Sequence, residues 1–152
     1  MKLICLCSIF VSFVFISLIN LNYYRQRLKL VNDLLMFFKI YINEISFNKS
    51  DYQTIVGNNI EKFGVHSRAL LLNSRDVSKY PNIITNQEKN DINFIFDGLG
   101  KHELDSEIGV CKNAEIKLCE MQKKAIFEYK AKGELRTKLI FVFGIVLLII
   151  II

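Results

Sequence analysis

Residues 139–152, LIFVFGIVLLIIII, and residues 3–21, LICLCSIFVSFVFISLINL, carry no charged side chain. Apart from Lys2, every charged residue lies between these two runs. A helix that is apolar all round lies in the core of a large protein or within a membrane, and a run of isoleucine and leucine at a free end makes a poor core helix. Two such runs flanking a charged middle therefore predict a chain held to a membrane at two places.

A bilayer core of ~30 Å needs ~20 apolar residues in a helix. Residues 3–21 meet that length, with Ser8, Ser12, Ser17 and Asn20 as their only polar interruptions. At ~1.5 Å per residue, residues 139–152 rise roughly 21 Å and fall short. Arg136 and Lys138 can snorkel along the apolar edge, and the bilayer can thin locally. The first run is long for a signal peptide, and its exit INLNYYRQR lacks a small-x-small cleavage site, so an uncleaved anchor is expected.

Basic residues set the orientation. Arg25, Arg27 and Lys29 follow the first run, and Lys130, Lys132, Arg136 and Lys138 precede the second. Arg25, Arg27, Lys29, Arg136 and Lys138 are the expected membrane-flanking residues. The middle then faces the cytoplasm, with both ends across the membrane. A formal charge of +5 suits a domain held against anionic lipid. Nucleic acid is not an expected partner, because the basic residues flank apolar runs and are not interleaved with aromatics on one face. Cys111 and Cys119 fall ~12 Å apart along one helix, beyond the ~7 Å limit for a bridged pair. Reduced, buried thiols are expected there.

The layout divides into an N-terminal transmembrane helix (3–21), a cytoplasmic helical domain (22–138) and a second transmembrane helix (139–152). The middle holds one proline, Pro81. From Tyr23 to Ser46, the spacing of Leu28, Val31, Leu35, Phe38, Ile42 and Ile45 predicts an amphipathic helix continuous with the first span. Leu34, Phe37 and Tyr41 widen its stripe. Ser50 and Gln53 form a capping-box pattern opening a short helix to about Lys62, with Tyr52, Ile55, Val56 and Ile60 inward. ALLLNS at 69–74 suggests a turn or two of helix, and Pro81 pushes Tyr80 out of the helical region. Thr85 and Glu88 form a second capping box, opening a helix that buries Ile92, Ile95, Phe96 and Leu99. Gly98 or Gly100 supplies its left-handed cap. A second long helix follows from near His102 to Lys132, with a seam of Leu104, Ile108, Cys111, Leu118, Ala125 and Tyr129 broken by Glu115 and Gln122. Val110, Ala114, Met121 and Phe127 broaden it, and Gly133 is placed to kink the junction. The expected class is all-α: a membrane-anchored bundle of two long antiparallel helices with short helices between.

No catalytic constellation emerges. The Gly100-Lys101 pair lacks the glycine and the Ser or Thr that a phosphate-binding loop requires, since Ile95 and His102 occupy those positions. His66 and His102 have no ligand partner at metal spacing. No cofactor, metal or small-molecule substrate is expected.

The segment FIFDGLGKHELDSE, the charged helix after it, and AKGELRTKLIFVFGIVLLIIII together resemble the C-terminal signature of the stage III sporulation protein AB family. Leu99 and Gly100 match its turn, and Gly98 lies near its usual phenylalanine-glycine. His102 and Glu103 stand where Ser-Asp is usual. Lys138, Leu139 and Gly144 approximate its closing segment, and Glu44, Ile45 and Phe47 its first helix end. The resemblance implies a structural component of the channel between mother cell and engulfed forespore. Its helical domain would be similar to that of the inner-membrane platform of type II secretion and type IV pili. It would face the mother-cell cytoplasm and touch a ring-forming ATPase and other channel proteins; further copies of itself are admissible partners. A second reading is a small holin-like pore or a general secretion platform.

Overall fold

The computed structural model describes residues 2–74, 76–101 and 103–151; for residues 2–7, 9, 148, 150 and 151 the backbone alone is described. Every regular element among them is helical. Helix α1 (Lys2–Phe47) runs for 46 residues, roughly 69 Å at ~1.5 Å per residue. It passes residues 21 and 22 without a break, since neither proline nor glycine interrupts the chain there. It stops where Lys49 adopts a left-handed conformation (φ 50°) and the Asn48 amide closes back on the Glu44 carbonyl at 2.9 Å.

Three short helices follow: α2 (Tyr52–Asn59), α3 (Val65–Leu72) and α4 (Asn86–Gly98). Single 3-10 turns at Ile60–Lys62 and Val77–Lys79 join them. The expected Ser50 cap is corrected. Asp51 is the residue preceding α2, and the Ser50 hydroxyl turns to the Glu44 carboxylate at 3.5 Å. Asp33 of α1 fixes the start of α3, accepting from the Gly64 amide at 2.8 Å and the Ser67 hydroxyl at 2.6 Å. Tyr80 is extended (φ −67°, ψ 142°) ahead of Pro81, and the Thr85–Glu88 capping box is present with both bonds.

Helix α5 (Leu104–Glu128) leads into a π-helical segment (Tyr129–Glu134) and then α6 (Leu135–Ile151). Gly133 therefore does not break the helix; the chain widens by one turn and continues. The wide turn frees carbonyls from the regular ladder. Two side chains take them up: Asn20 Nδ2 donates to the Lys132 carbonyl at 3.3 Å, and the Thr137 hydroxyl to that of Gly133 at 2.8 Å.

α1 packs along α5, the π segment and α6. The pairs Tyr41 with Glu107, Asn32 with Gln122 and Asn20 with Lys132 define the direction. As one number rises the other falls, so the two long helices are antiparallel. Their seams repeat at alternate steps of three and four. On α1 the buried positions Arg27, Val31, Leu34, Phe38, Tyr41 and Ile45 follow this rhythm; on α5 so do Glu107, Cys111, Ala114, Leu118, Met121 and Ala125. A repeat of about 3.5 residues keeps one stripe on the partner helix. The seam expected on α5 is thus corrected: Ala114 and Met121 belong to it, while Leu104 and Phe127 are exposed. Cys111 is buried but Cys119 is exposed, which corrects the expectation of two buried thiols. The short helices cover the Phe37–Phe38 region of α1 and complete the core with Phe63, Leu70, Leu71, Ile92 and Phe96.

Candidate functional site

Among the described residues, the buried charged groups of this bundle gather at two nodes. The first centres on Arg27, which occupies a seam position of α1 and is almost wholly buried. Its Nη2 donates to Glu88 Oε1 at 2.6 Å, and its Nη1 donates to Glu128 Oε2. Lys132 Nζ stands 3.2 Å from the other Glu128 oxygen. Glu88 is shared between two tasks, because its Oε2 also accepts from the Thr85 amide at 2.8 Å and the Thr85 hydroxyl at 3.0 Å. Burial pulls the Arg27 guanidinium down, but the Glu88 bond and charge and then Glu128 outweigh it and raise its pKa. Burial pushes the Glu128 carboxyl up, and the Lys132 bond and Arg27 charge more than reverse that, holding it below the usual range. The node balances two cations against two carboxylates. It clamps the first turn of α4 to both long helices, with Arg27 Nε the one guanidinium nitrogen that has no partner among the described residues.

The second node holds the turn after α4. Gly100 has φ +74°, a conformation that costs glycine little and other residues more. Its amide donates to Glu107 Oε1 at 2.7 Å, and the Tyr41 hydroxyl donates to the same oxygen at 3.1 Å. Glu107 is buried, and its Oε2 has no partner among the described residues. Burial first, then the Glu107 charge, raises the Tyr41 pKa. The same two causes push the Cys111 thiol up to about 12, so it stays protonated and unreactive at neutral pH. Beside this node opens a cleft of about 1210 Å3 between the end of α1, α2, the end of α3 and the Gly98–Leu104 turn.

Towards the opposite end of the long helices the usual arrangement of side chains is reversed. Phe15, Ile16 and Ile19 of α1 are 64 %, 61 % and 67 % exposed, and Phe143 of α6 is 68 % exposed. Ser17 points inward and is fully buried. Gly144 lies so close to α1 that a Cβ there would collide with the Phe10 ring. Among the described residues, no helix is long and apolar enough to cross a membrane.

The residues expected from sequence fall into separate places. Gly98 is the last residue of α4, Leu99 is its buried cap and Gly100 is held by Glu107. Glu103 precedes α5 without a side-chain capping bond, and His102 lies outside the described residues. Arg25, Lys29, Arg136 and Lys138 are exposed. Arg27 is the correction: its guanidinium is consumed by Glu88 and Glu128 and is not directed to solvent. Sequence reasoning gave Glu88 only its capping role and did not single out Glu107 or Glu128. A carboxylate four residues before Cys111, in step with the seam, was the available signal for Glu107. Among the described residues no cluster of His, Cys, Asp and Glu is placed to hold a metal. No protein-family model, curated protein or solved structure matches the chain.

Proposed function

We propose that this protein is a structural membrane component: a long helical hairpin whose apolar halves enter a bilayer and whose helical head presents surfaces to protein partners. The carrying observation is the reversed packing of residues 10–21 against 133–146. Small or polar side chains fill the seam (Ser17, Gly133, Gly144), while phenylalanine and isoleucine face outward. Water would penalise that arrangement by roughly 25 cal/mol per Å2 of exposed apolar surface. Lipid does not, and close approach through small residues is the packing that helices use there.

The more specific reading is a platform within the sporulation channel, contacting a ring ATPase and the other channel proteins from the mother-cell side. Its support is the Leu99-Gly100 turn, held in place by Glu107, together with the paired long helices. In an endospore-forming host that carries it, deletion of the gene should stop spore formation after engulfment and leave vegetative growth intact. Normal spore yield would overturn this reading while leaving the membrane hairpin in place. A pore is the weaker alternative, since the seam is filled by close contacts and neither apolar run carries a charge of the kind that lines ion paths.

Cys119 offers a test of orientation, because it is exposed on α5. With Cys5 and Cys7 replaced by serine, an impermeant maleimide should label the chain only after the cells are opened. Labelling of intact cells would reverse the orientation.

A further inference from the structure

Contacts between α1 and α6 fix which residues share a level along the hairpin. A Cβ on Gly133 would lie 3.3 Å from Leu21 Cδ1, and a Cβ on Gly144 would meet the Phe10 ring. From one pair to the other the two helices advance by the same number of residues in opposite directions, so the register between them does not slip. Three residues past Gly133, Arg136 stands at the level of Leu18; six residues before Gly144, Lys138 stands at the level of Ile16. Both side chains are exposed, and neither has an ion-pair partner among the described residues. The seam turns polar over the same stretch. Ser17 is buried there, Asn20 donates to the Lys132 carbonyl, and the Thr137 hydroxyl donates to that of Gly133.

This register shortens the apolar zone. Taken singly, residues 3–21 have the length to span a hydrocarbon core of ~30 Å. Paired with α6, their last residues lie at the level of two cations, and the charge-free part of the pair runs from Lys2 to the level of Lys138. That part is residues 3–16 of α1, roughly 21 Å at ~1.5 Å per residue. A charge carried into hydrocarbon is expensive. Snorkelling moves each charge by no more than the length of its own stem and recovers only part of the difference. The remainder falls on the bilayer, which thins around a short apolar segment. Leu18 and Ile19 of α1 are 49 % and 67 % exposed at the level where α6 carries its cations, so the bilayer surface is lowered on the α6 side.

Resting on the reading of the apolar halves as a membrane hairpin, we infer that the hairpin selects a thin bilayer. Arg136 and Lys138 draw the lipid headgroups down on the α6 side, and phospholipids with short acyl chains are the partner that fits. Longer acyl chains force the two cations into hydrocarbon or expel the helix pair.

Flotation after an alkaline wash tests it on the full chain reconstituted into vesicles of dimyristoleoyl, dioleoyl or dierucoyl phosphatidylcholine, whose acyl chains lengthen in that order. The ratio of retained to released chain should fall at least about tenfold from the shortest lipid to the longest, because each ångström of mismatch adds to the cost. Arg136→Leu together with Lys138→Leu moves the edge of the apolar zone up to Glu134 and Lys132 and should flatten that fall. Arg25→Gln together with Lys29→Gln removes the same charge on the head side of the zone and should leave the fall as it is. Equal retention in the three lipids, or greatest retention in the longest, would overturn the inference and leave the hairpin in place. An undiminished fall in the reconstituted leucine variant, or the same flattening in the glutamine variant, would overturn it as well. Retention in none of the lipids would overturn the membrane hairpin itself, and the inference with it. If the leucine variant does not reconstitute, the comparison of the three lipids on the unaltered chain still decides.

Discussion

Phe37 is fully buried and meets the rings of Phe38, Tyr41, Tyr52, Phe63 and Phe96 at centroid distances between 5.6 and 6.4 Å. It is the point where α1 touches the short helices most densely. Phe37→Ala should destabilise the fold by about 3–5 kcal/mol in denaturant unfolding, as truncation of a well-packed aromatic does. A loss below ~1 kcal/mol would show that the short helices hold together without it. Arg27 behaves differently. Arg27→Met leaves the buried Glu88 without its cation and Glu128 with Lys132 alone, and should cost about 3–5 kcal/mol. Adding Glu88→Gln and Glu128→Gln should restore most of that loss, because a neutral site needs no counter-charge. Recovery is compatible with α4 staying capped, since glutamine also serves in a capping box. Phe37 was legible in the sequence as part of an apolar stripe. Arg27 was not, because its partners lie 61 and 101 positions away and a lone arginine after an apolar run reads as a lipid contact.

The elements were readable to the extent that their signals are local. The Thr85–Glu88 box, the extended Tyr80 before Pro81 and the left-handed Gly100 follow from residues within four positions of one another. The seam of α5 was misplaced, because apolar residues on neighbouring faces compete and only the partner helix decides between them. Ala114 and Met121 face α1, while the larger Phe127 faces out. The π segment was reduced to a kink at Gly133; that glycine lies against Leu21 and Tyr24 of α1, neighbours that the local sequence does not reveal. At this scale the first node gives a pH prediction. The folded-state pKa of Glu128 is lower than its unfolded value. Its contribution is therefore complete above the ordinary carboxylate pKa of ~4.3 and is lost as pH falls through the folded value. Chemical unfolding at falling pH should show this loss, and Glu128→Gln should flatten that limb. Gly144→Leu tests the pairing of α1 with α6. A side chain there meets the Phe10 ring and should cost about 1–3 kcal/mol in thermal unfolding in micelles. No change would mean that the helices do not meet at that level.

Across the whole molecule, two long antiparallel helices divide the chain into ends of opposite character. At one end the short helices bury phenylalanine and leucine under a polar surface, and at the other the phenylalanines and isoleucines are turned out. The all-helical class and the pairing of long helices were present in the spacing of apolar residues. The cleft was not, because its walls come from α1, α2, α3, α4 and α5 together. Flotation of alkaline-washed membranes separates an embedded chain from one that is merely attached. The full chain should rise with the lipid after the wash, and a variant with aspartate at Phe15, Ile19 and Phe143 should remain in the soluble fraction. Release of the unaltered chain by the alkaline wash would contradict the membrane hairpin.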